Sequence, residues 1–154
     1  MTMRSAARVI VVNSQNHVFL LHARDVNDHT KTWWLTCGGG TQMGETPSQT
    51  AARELAEETG LECEPADLYG PIAQQRNTME FSTGEHTQDE VFYGYFCDHD
   101  GDLSDATWTD VEKRAILGAR WWSVEELGTT QEVIYPANLR ELVIAVTDYY
   151  QKSR

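Results

Sequence analysis

The sequence predicts a layered domain of the α/β or α+β class, in which strands and helices alternate along the chain. Two apolar, β-branched runs at residues 6–12 and 17–23, separated by the polar NSQN, indicate a β-hairpin. Apolar residues at helical spacing indicate one amphipathic helix at residues 47–59 and a second within residues 135–152. Because each such element has an apolar face to bury, this order predicts helices packed against a sheet.

Three glycines at residues 38–40 follow a short predicted strand, TWWLT, at residues 32–36. Successive glycines indicate a turn, or a backbone that approaches another group closely. Beyond the first helix, apolar runs predict further strands at residues 68–75, 90–98 and 119–123. We expect the polar residues 76–87 to form a mobile segment and residues 100–115 a loop. Residues 124–127 are expected to begin a helical turn.

The chain has 154 residues, which predicts a single domain over residues 1–154. No run approaches the ~18 apolar residues that a membrane span needs, and the N-terminal residues lack the apolar stretch of a signal peptide. The three cysteines, Cys37, Cys63 and Cys97, are widely spaced, which is typical of free thiols in a reducing compartment. These features predict a cytoplasmic protein without a membrane partner, and they are compatible with a homodimer.

The formal net charge of -12 argues against a polymeric nucleic-acid partner, because proteins bind a phosphate backbone through clustered Lys and Arg. A small anionic substrate stays open if a metal ion supplies the positive charge. The overall acidity by itself indicates mainly a soluble surface.

The helix at residues 47–59 has clear local signals at both ends. Thr46 is a suitable N-cap, Pro47 suits the first helical position, and Gln49 completes a T-x-x-Q capping box. Gly60 is placed to end the helix. At ~100° per residue, one side of the helix collects the apolar residues Ala51, Ala52, Leu55 and Ala56, and this is the face expected to be buried.

A second side of the same helix collects Glu54, Glu57 and Glu58, since residues three or four apart are helical neighbours. Like charges at these spacings destabilise a helix by a few tenths of a kcal/mol (~0.2–0.5) per pair, and one Arg53 paired with Glu57 offsets only part of this. A divalent cation such as Mg2+, commonly held by carboxylates together with substrate phosphates, would neutralise the cluster. On the spacing alone, a solvated acidic helix face stays an alternative.

Nine residues between positions 39 and 61 match the pattern G-x5-E-x7-R-E-U-x-E-E-x-G-U, in which U is apolar. They are Gly39, Glu45, Arg53, Glu54, Leu55, Glu57, Glu58, Gly60 and Leu61. This is the Nudix box, and the sequence therefore resembles the Nudix hydrolases. The resemblance implies an α/β/α sandwich around a mixed β-sheet, with the box forming a loop, a helix and a second loop.

The resemblance also implies an activity. Nudix hydrolases cleave a diphosphate linkage in a nucleoside diphosphate derivative or nucleoside triphosphate, using Mg2+ or Mn2+. By resemblance, Glu57 and Glu58 are the principal metal ligands, Glu54 is a further ligand or the base that takes a proton from water, and the carbonyl of Gly38 is a backbone ligand. The implied partner is a small nucleotide, and the implied chemistry is attack of water on phosphorus.

Two residues match a supporting pair of the family: Glu45 and Arg53 would tie the loop to the helix and orient the carboxylates. Glu90, at the start of a predicted strand, occupies a place from which relatives often supply a further carboxylate to the metals or the base. Three other acidic residues are alternatives for that role: Glu80, Glu85 and Asp89.

Other features leave alternatives open. Cys37 occupies a position where many relatives have proline, and without the stiffer proline the geometry of the loop is open. A catalytic role for Cys37 is an alternative, because isopentenyl diphosphate isomerases, which share the fold, use a cysteine. The pairs Trp33-Trp34 and Trp121-Trp122 suit either nucleobase stacking or the core, since one side chain of each pair should point inward from a strand. Marks of the better-known substrate subclasses are not evident. A nucleotide-binding or regulatory module that does not cut its ligand is the alternative function.

Overall fold

The structure, a computed structural model, describes residues 4–98 and 114–153. These residues form eight strands, three α-helices and one short 3-10 turn, Pro65–Asp67. The strands are β1 Arg4–Val12, β2 Val18–Arg24, β3 Thr32–Leu35, β4 Cys37–Gly40, β5 Tyr69–Phe81, β6 Gly84–Phe96, β7 Ile116–Trp122 and β8 Ile134–Tyr135. The helices are α1 Pro47–Thr59, α2 Val124–Thr129 and α3 Leu139–Lys152.

All the described strands belong to one hydrogen-bonded sheet that mixes parallel and antiparallel pairs. Strand β1 lies between β6, to which it is parallel, and β4, to which it is antiparallel. Strand β2 lies between β3 and β7 and is antiparallel to both. Strand β5 continues the sheet beyond β6, and β8 continues it beyond β3. The two groups of strands join where Val12 of β1 pairs with Val18 of β2.

Side chains of β1 alternate between two apolar layers, as the pleat of a strand requires. Val9 and Val11 pack in a buried cluster with Leu55 of α1, whereas Ile10 packs in a second buried cluster with Val143 of α3. Helices therefore cover both faces of the mixed sheet. The predicted α/β/α sandwich is confirmed.

Helix α1 begins and ends where its local signals predict. The Thr46 hydroxyl accepts a hydrogen bond from the backbone N–H of Gln49 at 3.3 Å, and the Gln49 side chain accepts one from the Thr46 N–H at 2.9 Å. Gly60 follows the last turn with φ of 80°, the left-handed conformation that glycine adopts without strain. The capping box is thus present as a complete pair of hydrogen bonds.

Residues 76–87, expected to be mobile, instead continue a paired hairpin of β5 and β6. The hairpin is largely polar because it extends past the end of β1, whose pairing with β6 starts at Gln88. One of its faces meets water, whereas Met79 on the other face is 6% exposed. Its turn is fixed by Ser82, whose backbone N–H and hydroxyl donate to the Asp25 carboxylate at 2.7 and 2.9 Å. Polarity here reflects exposure of a regular hairpin, and the sequence signal for mobility was misleading.

The remaining elements agree with prediction apart from their limits. The strand near residue 120 and the helical turn after it are present as β7 and α2, and α3 begins at Leu139, three residues after Pro136. The loop expected at residues 100–115 lies almost wholly outside the described residues. Within the described part of the chain, no helix has both the length and the apolar character that crossing a membrane requires.

Leu55 is fully buried between α1 and the sheet. We expect Leu55→Ala to lower the free energy of unfolding by about 2–5 kcal/mol, because it removes apolar contacts and leaves a cavity. Urea denaturation measures the change. Leu117→Ala is the matched control: this side chain is 48% exposed on β7, and its loss should change the free energy by about 0.5 kcal/mol or less. Equal losses in the two variants would contradict the assigned core.

Candidate active site

The three glycines lie in β4, which is pressed between β1 and α1. A side chain at Gly38 would overlap the Ala7 carbonyl and the Arg8 side chain, and φ of 150° at this position also disfavours other residues. A side chain at Gly39 would overlap the carboxylate of Glu54 on α1. The glycines therefore allow a bare stretch of backbone to lie directly beside the acidic face of the helix.

Arg53 ties this backbone to the helix. Its guanidinium donates to both carboxylate oxygens of Glu45, with Nε–Oε2 at 2.7 Å and Nη2–Oε1 at 3.1 Å, and Nη2 also donates to the Gly40 carbonyl at 3.1 Å. Nη1 reaches Glu54 at 3.0 Å and Glu57 at 3.4 Å. One side chain thus holds the loop, the start of the helix and two of the acidic residues.

The charge state of this pair follows from its hydrogen bonds. The Arg53 guanidinium, followed by the Gln42 backbone N–H, lowers the pKa of Glu45 from 4.5 to about 2. Hydrogen bonding to Glu45, opposed in part by burial, raises the pKa of Arg53. Both groups therefore stay charged at neutral pH, and the bidentate geometry makes theirs a strong type of ion pair.

The three glutamates of the acidic face do not share one environment. Glu54 and Glu58 are 9% and 5% exposed, and Glu58 Oε1 accepts a hydrogen bond from the Gly38 N–H at 2.6 Å. Glu57 keeps 37% of its side chain exposed. Two carboxylates therefore lie under the glycine strand, and the third borders solvent.

Within residues 4–98 and 114–153, no three His, Cys, Asp or Glu side chains are gathered as a ready-made metal cage. The donors that α1 and β4 bring together are nevertheless carboxylate oxygens and a backbone carbonyl, which are the ligand types that Mg2+ and similar hard cations prefer. Three carboxylates, those of Glu45, Glu54 and Glu57, contact the one guanidinium of Arg53, and Glu58 lies on the same helix face. In donor type and charge, the group suits a divalent cation.

Glu90 lies apart from this group. It is 5% exposed on β6, its Oε2 accepts from Arg8 Nε at 2.7 Å, and its Oε1 accepts from the Asn77 side chain. Arg8 in turn packs against Gly38, so it stands between Glu90 and the glycine strand. The competing acids lie on the exposed hairpin; Asp89 pairs there with Arg76, and Glu80 lies opposite Glu85.

Cys37 is fully buried in the core beneath α1. Burial, together with the nearby negative charge of Glu58, raises the pKa of its thiol. A neutral thiol enclosed by the core is a poor nucleophile. The structure therefore argues against a catalytic role for Cys37 and favours packing.

A cleft of about 350 Å³ opens beside Glu58, between β1, β3 and the β5–β6 hairpin. One part of its lining is apolar, where the rings of Trp33 and Phe81 meet with centroids 5.1 Å apart. Another part is polar and includes Arg4, Arg8 and Gln88. Sequence reasoning missed the polar part; its one signal was a charged residue within the otherwise apolar run at residues 6–12.

Of the two tryptophan pairs, Trp33 alone lines the cleft, and the other three side chains pack against the core clusters. Trp34 and Trp122 pack in the core cluster beneath α3, where their rings make an edge contact at 5.0 Å. Trp33 points the other way, into the lining of the cleft. One member of the first pair is thus available to a ligand, as the alternation of a strand allows.

Comparison with known proteins gives three results. A family model described as NUDIX domain matches residues 2–143. The chain is similar to an RNA pyrophosphohydrolase of Erythrobacter litoralis (strain HTCC2594), with 31% identity over 60% of this chain and 54% of that protein. It is similar to another of Pseudoalteromonas translucida (strain TAC 125), with 38% identity over 51% of this chain and 41% of that protein. The chain spans about half, or less, of the length of these relatives.

Solved structures show the same fold at low identity. A MutT protein from Methanosarcina mazei Go1 superposes with a TM-score of 0.65 at 19% identity, covering 96% of this chain and 95% of that one. The dihydroneopterin triphosphate pyrophosphohydrolase of E. coli gives 0.65 at 16%, covering 97% and 99%. The NUDIX domain of Shewanella oneidensis NrtR, complexed with ADP ribose, gives 0.64 at 15%, covering 97% and 90%.

The low pKa of Glu45 predicts a specific loss of stability in acid. A carboxyl group whose pKa is lower in the folded state stabilises the fold fully above its unfolded pKa, and this contribution disappears as the pH falls from about 4.5 towards 2. We expect Glu45→Gln to be less stable than the wild type at about pH 6, with a difference that shrinks through this window. Urea denaturation at several pH values measures it.

Glu62→Gln is the control, because Glu62 is an exposed carboxyl just after α1. Its stability relative to the wild type should vary little over the same range. A Glu45→Gln curve that stays parallel to the wild-type curve down to pH 2 would contradict the role assigned to the Arg53 ion pair.

Proposed function

The chain belongs to the Nudix family, and from this premise we propose that it hydrolyses a diphosphate linkage in a nucleoside diphosphate derivative or a nucleoside triphosphate. Water attacks phosphorus in the proposed reaction, and the cofactor is a divalent metal ion, Mg2+ or Mn2+. One observation carries the proposal: Arg53 and Glu45 hold an acidic helix face against bare glycine backbone, beside a cleft large enough for a nucleotide.

The proposed principal ligands of the ion are the carboxylates of Glu57 and Glu58, with the carbonyl of Gly38, and Glu54 is either a further ligand or the base. A bound divalent ion neutralises the charge of a diphosphate and acidifies a coordinated water. Around it, Arg53 keeps the carboxylates oriented through its contacts with Glu54 and Glu57. Glu45 holds Arg53, so its own effect on hydrolysis is indirect.

We assign the general base to α1, with Glu54 as the first candidate. Its carboxylate lies against Gly39, and it is a helical neighbour of Glu57 and Glu58. If Glu57 and Glu58 hold the ion, Glu54 would be close enough to take a proton from the water that the ion acidifies. Glu90 is the rival, although both of its oxygens already accept hydrogen bonds, from Arg8 and Asn77.

The substrate class follows from the cleft and from the relatives. The cleft lies within the roughly 300–1,000 Å³ typical of small-molecule sites, and the rings of Trp33 and Phe81 offer an apolar, aromatic surface for a base. The NrtR domain binds ADP ribose, and other relatives are pyrophosphohydrolases. The net charge of -12 favours a small nucleotide over a polymeric nucleic acid.

A nucleotide-binding module without hydrolysis is the second candidate. It would use the same cleft, but binding alone does not need an acidic helix face whose carboxylates are oriented by an arginine. The presence of all three glutamates of the acidic face together with Arg53 and Glu45 favours the enzyme.

We further propose one domain over residues 1–154 and a cytoplasmic location, with no membrane partner; gel filtration decides between a monomer and a homodimer.

A substrate panel tests the proposed function. Nucleoside triphosphates, nucleotide sugars, ADP-ribose, dinucleoside polyphosphates and a 5′-triphosphorylated oligoribonucleotide are each incubated with Mg2+, Mn2+ or EDTA, and the phosphate-bearing products are separated by chromatography and identified by mass spectrometry. The best substrate is then hydrolysed in 18O-labelled water. Label in a phosphate-bearing product supports attack at phosphorus. Binding of panel members without any turnover would favour the non-catalytic module.

Glu58 and Glu45 should differ in their effect on this reaction. We expect Glu58→Gln to lower kcat by about 100-fold or more, because a proposed metal ligand is lost. Glu45→Gln should cost roughly 10- to 100-fold, and less than Glu58→Gln, since Glu45 acts through Arg53. Equal losses with metal binding intact in the Glu45 variant would mean that Glu45 touches the reacting groups.

The identity of the base is open to a direct test. We expect Glu54→Gln to remove the acidic limb of the pH–rate profile and to lower kcat by about 100-fold or more. Glu90→Gln should keep that limb, because we assign Glu90 to holding Arg8. Metal affinity is measured for both variants. Loss of the limb in Glu90→Gln alone would transfer the base to β6.

A further inference from the structure

Arg4, the first residue of β1, lies at the polar part of the cleft that also contains Glu58. Its guanidinium is packed directly on Gly40, where any side chain would overlap it. The third glycine of β4 therefore makes room for a cation, just as the second makes room for the Glu54 carboxylate. Arg4 therefore lies beside the last glycine of β4, at the end of the strand that is followed by the loop to α1.

The other arginines near this site are committed to acidic partners. Arg8 forms an ion pair with Glu90 at 2.7 Å, and Arg53 binds three glutamates, led by Glu45. Arg4 differs from both: in the described part of the chain it forms no ion pair and donates no hydrogen bond, and it is exposed. Towards the described residues, the Arg4 guanidinium thus keeps its five N–H donors free.

A second donor faces the same space. Gln88, which pairs with Arg4 across β1 and β6, is 8% exposed and lines the cleft. Its Oε1 accepts a long contact from Arg8 Nη2 at 3.5 Å, while its amide nitrogen donates to no other described residue. A buried amide that keeps its N–H groups free at the wall of a cleft is suited to a ligand that accepts hydrogen bonds.

We propose that Arg4 binds a phosphoryl group of the substrate's phosphate chain, with the Gln88 amide as a neighbouring donor. The inference rests on the proposed function and adds the residue that recognises the charge of the chain. Guanidinium groups bind phosphate through paired, charge-assisted hydrogen bonds. The phosphate chain then lies between Glu58 and Arg4, and the rest of the substrate lies towards Trp33 and Phe81.

Three variants test the proposal by steady-state kinetics on the best substrate of the panel. We expect Arg4→Ala to lower kcat/KM by about 10- to 100-fold, the effect of losing a charged hydrogen bond to phosphate. Arg4→Lys should recover part of the loss, because lysine restores the positive charge but not the paired N–H donors of a guanidinium. Arg140→Ala removes an exposed arginine on α3, outside the cleft lining, and should leave kcat/KM within about 2-fold.

A binding measurement that does not depend on turnover completes the test. Calorimetric titration with inorganic tripolyphosphate in the presence of Mg2+ should show binding to the wild type and to Arg140→Ala, and about 10-fold weaker binding to Arg4→Ala. Equal melting temperatures of the variants exclude a folding defect.

Unchanged kcat/KM and unchanged binding in Arg4→Ala would overturn the role of Arg4 while leaving the proposed hydrolysis intact. No detectable tripolyphosphate binding by the wild type would overturn it as well. If no panel member is hydrolysed, the proposed function fails, but weaker tripolyphosphate binding by Arg4→Ala would still support Arg4 as a phosphate-binding residue.

Discussion

The contact between Arg53 and Glu45 is the interaction on which the arrangement of the site depends. Without it, the glutamates on one helix face would repel one another, and the loop before the helix would lose its link to Arg53. Because the same guanidinium also binds the Gly40 carbonyl, the strand, the loop and the helix share one donor group. The acidic face is thereby held as a rigid unit, and other side chains of the cleft are arranged around it.

The arrangement of the site also depends on strand β4, whose glycines have no side chains to keep other groups away from the backbone. Its glycines lie beneath the Arg8 side chain, the Glu54 carboxylate and the Arg4 guanidinium in turn. Two cations and one anion thus approach a single short length of backbone from its two faces. A side chain at Gly39 would overlap the Glu54 carboxylate, and one at Gly40 would overlap the Arg4 guanidinium, so the glycines allow these charged groups to lie close to the backbone.

The parts that the sequence predicted are those with local signals. Helix α1, its capping box and the acidic face lie within fifteen or so residues, where spacing determines which side chains are neighbours. The ion pair between Arg8 and Glu90 joins residues 82 positions apart, and no local sequence pattern predicts it. The cleft lining comes from several strands for the same reason. The β5–β6 hairpin was mistaken for a mobile segment because most of its side chains are polar and exposed.

The parallel pairing of β1 with β6 has a consequence for how the chain is made. Residues 4–12 find their partner only at residues 88–96, so the central strand of the sheet waits for most of the chain to be synthesised. Until then the apolar run of β1 has only the hairpin with β2 and the short β4 to cover it. Such long-range pairing slows folding. On the ribosome, the glycine strand and helix α1 are synthesised well before β6 completes the sheet that supports them, so the apolar β1 lacks a partner on that side during part of synthesis.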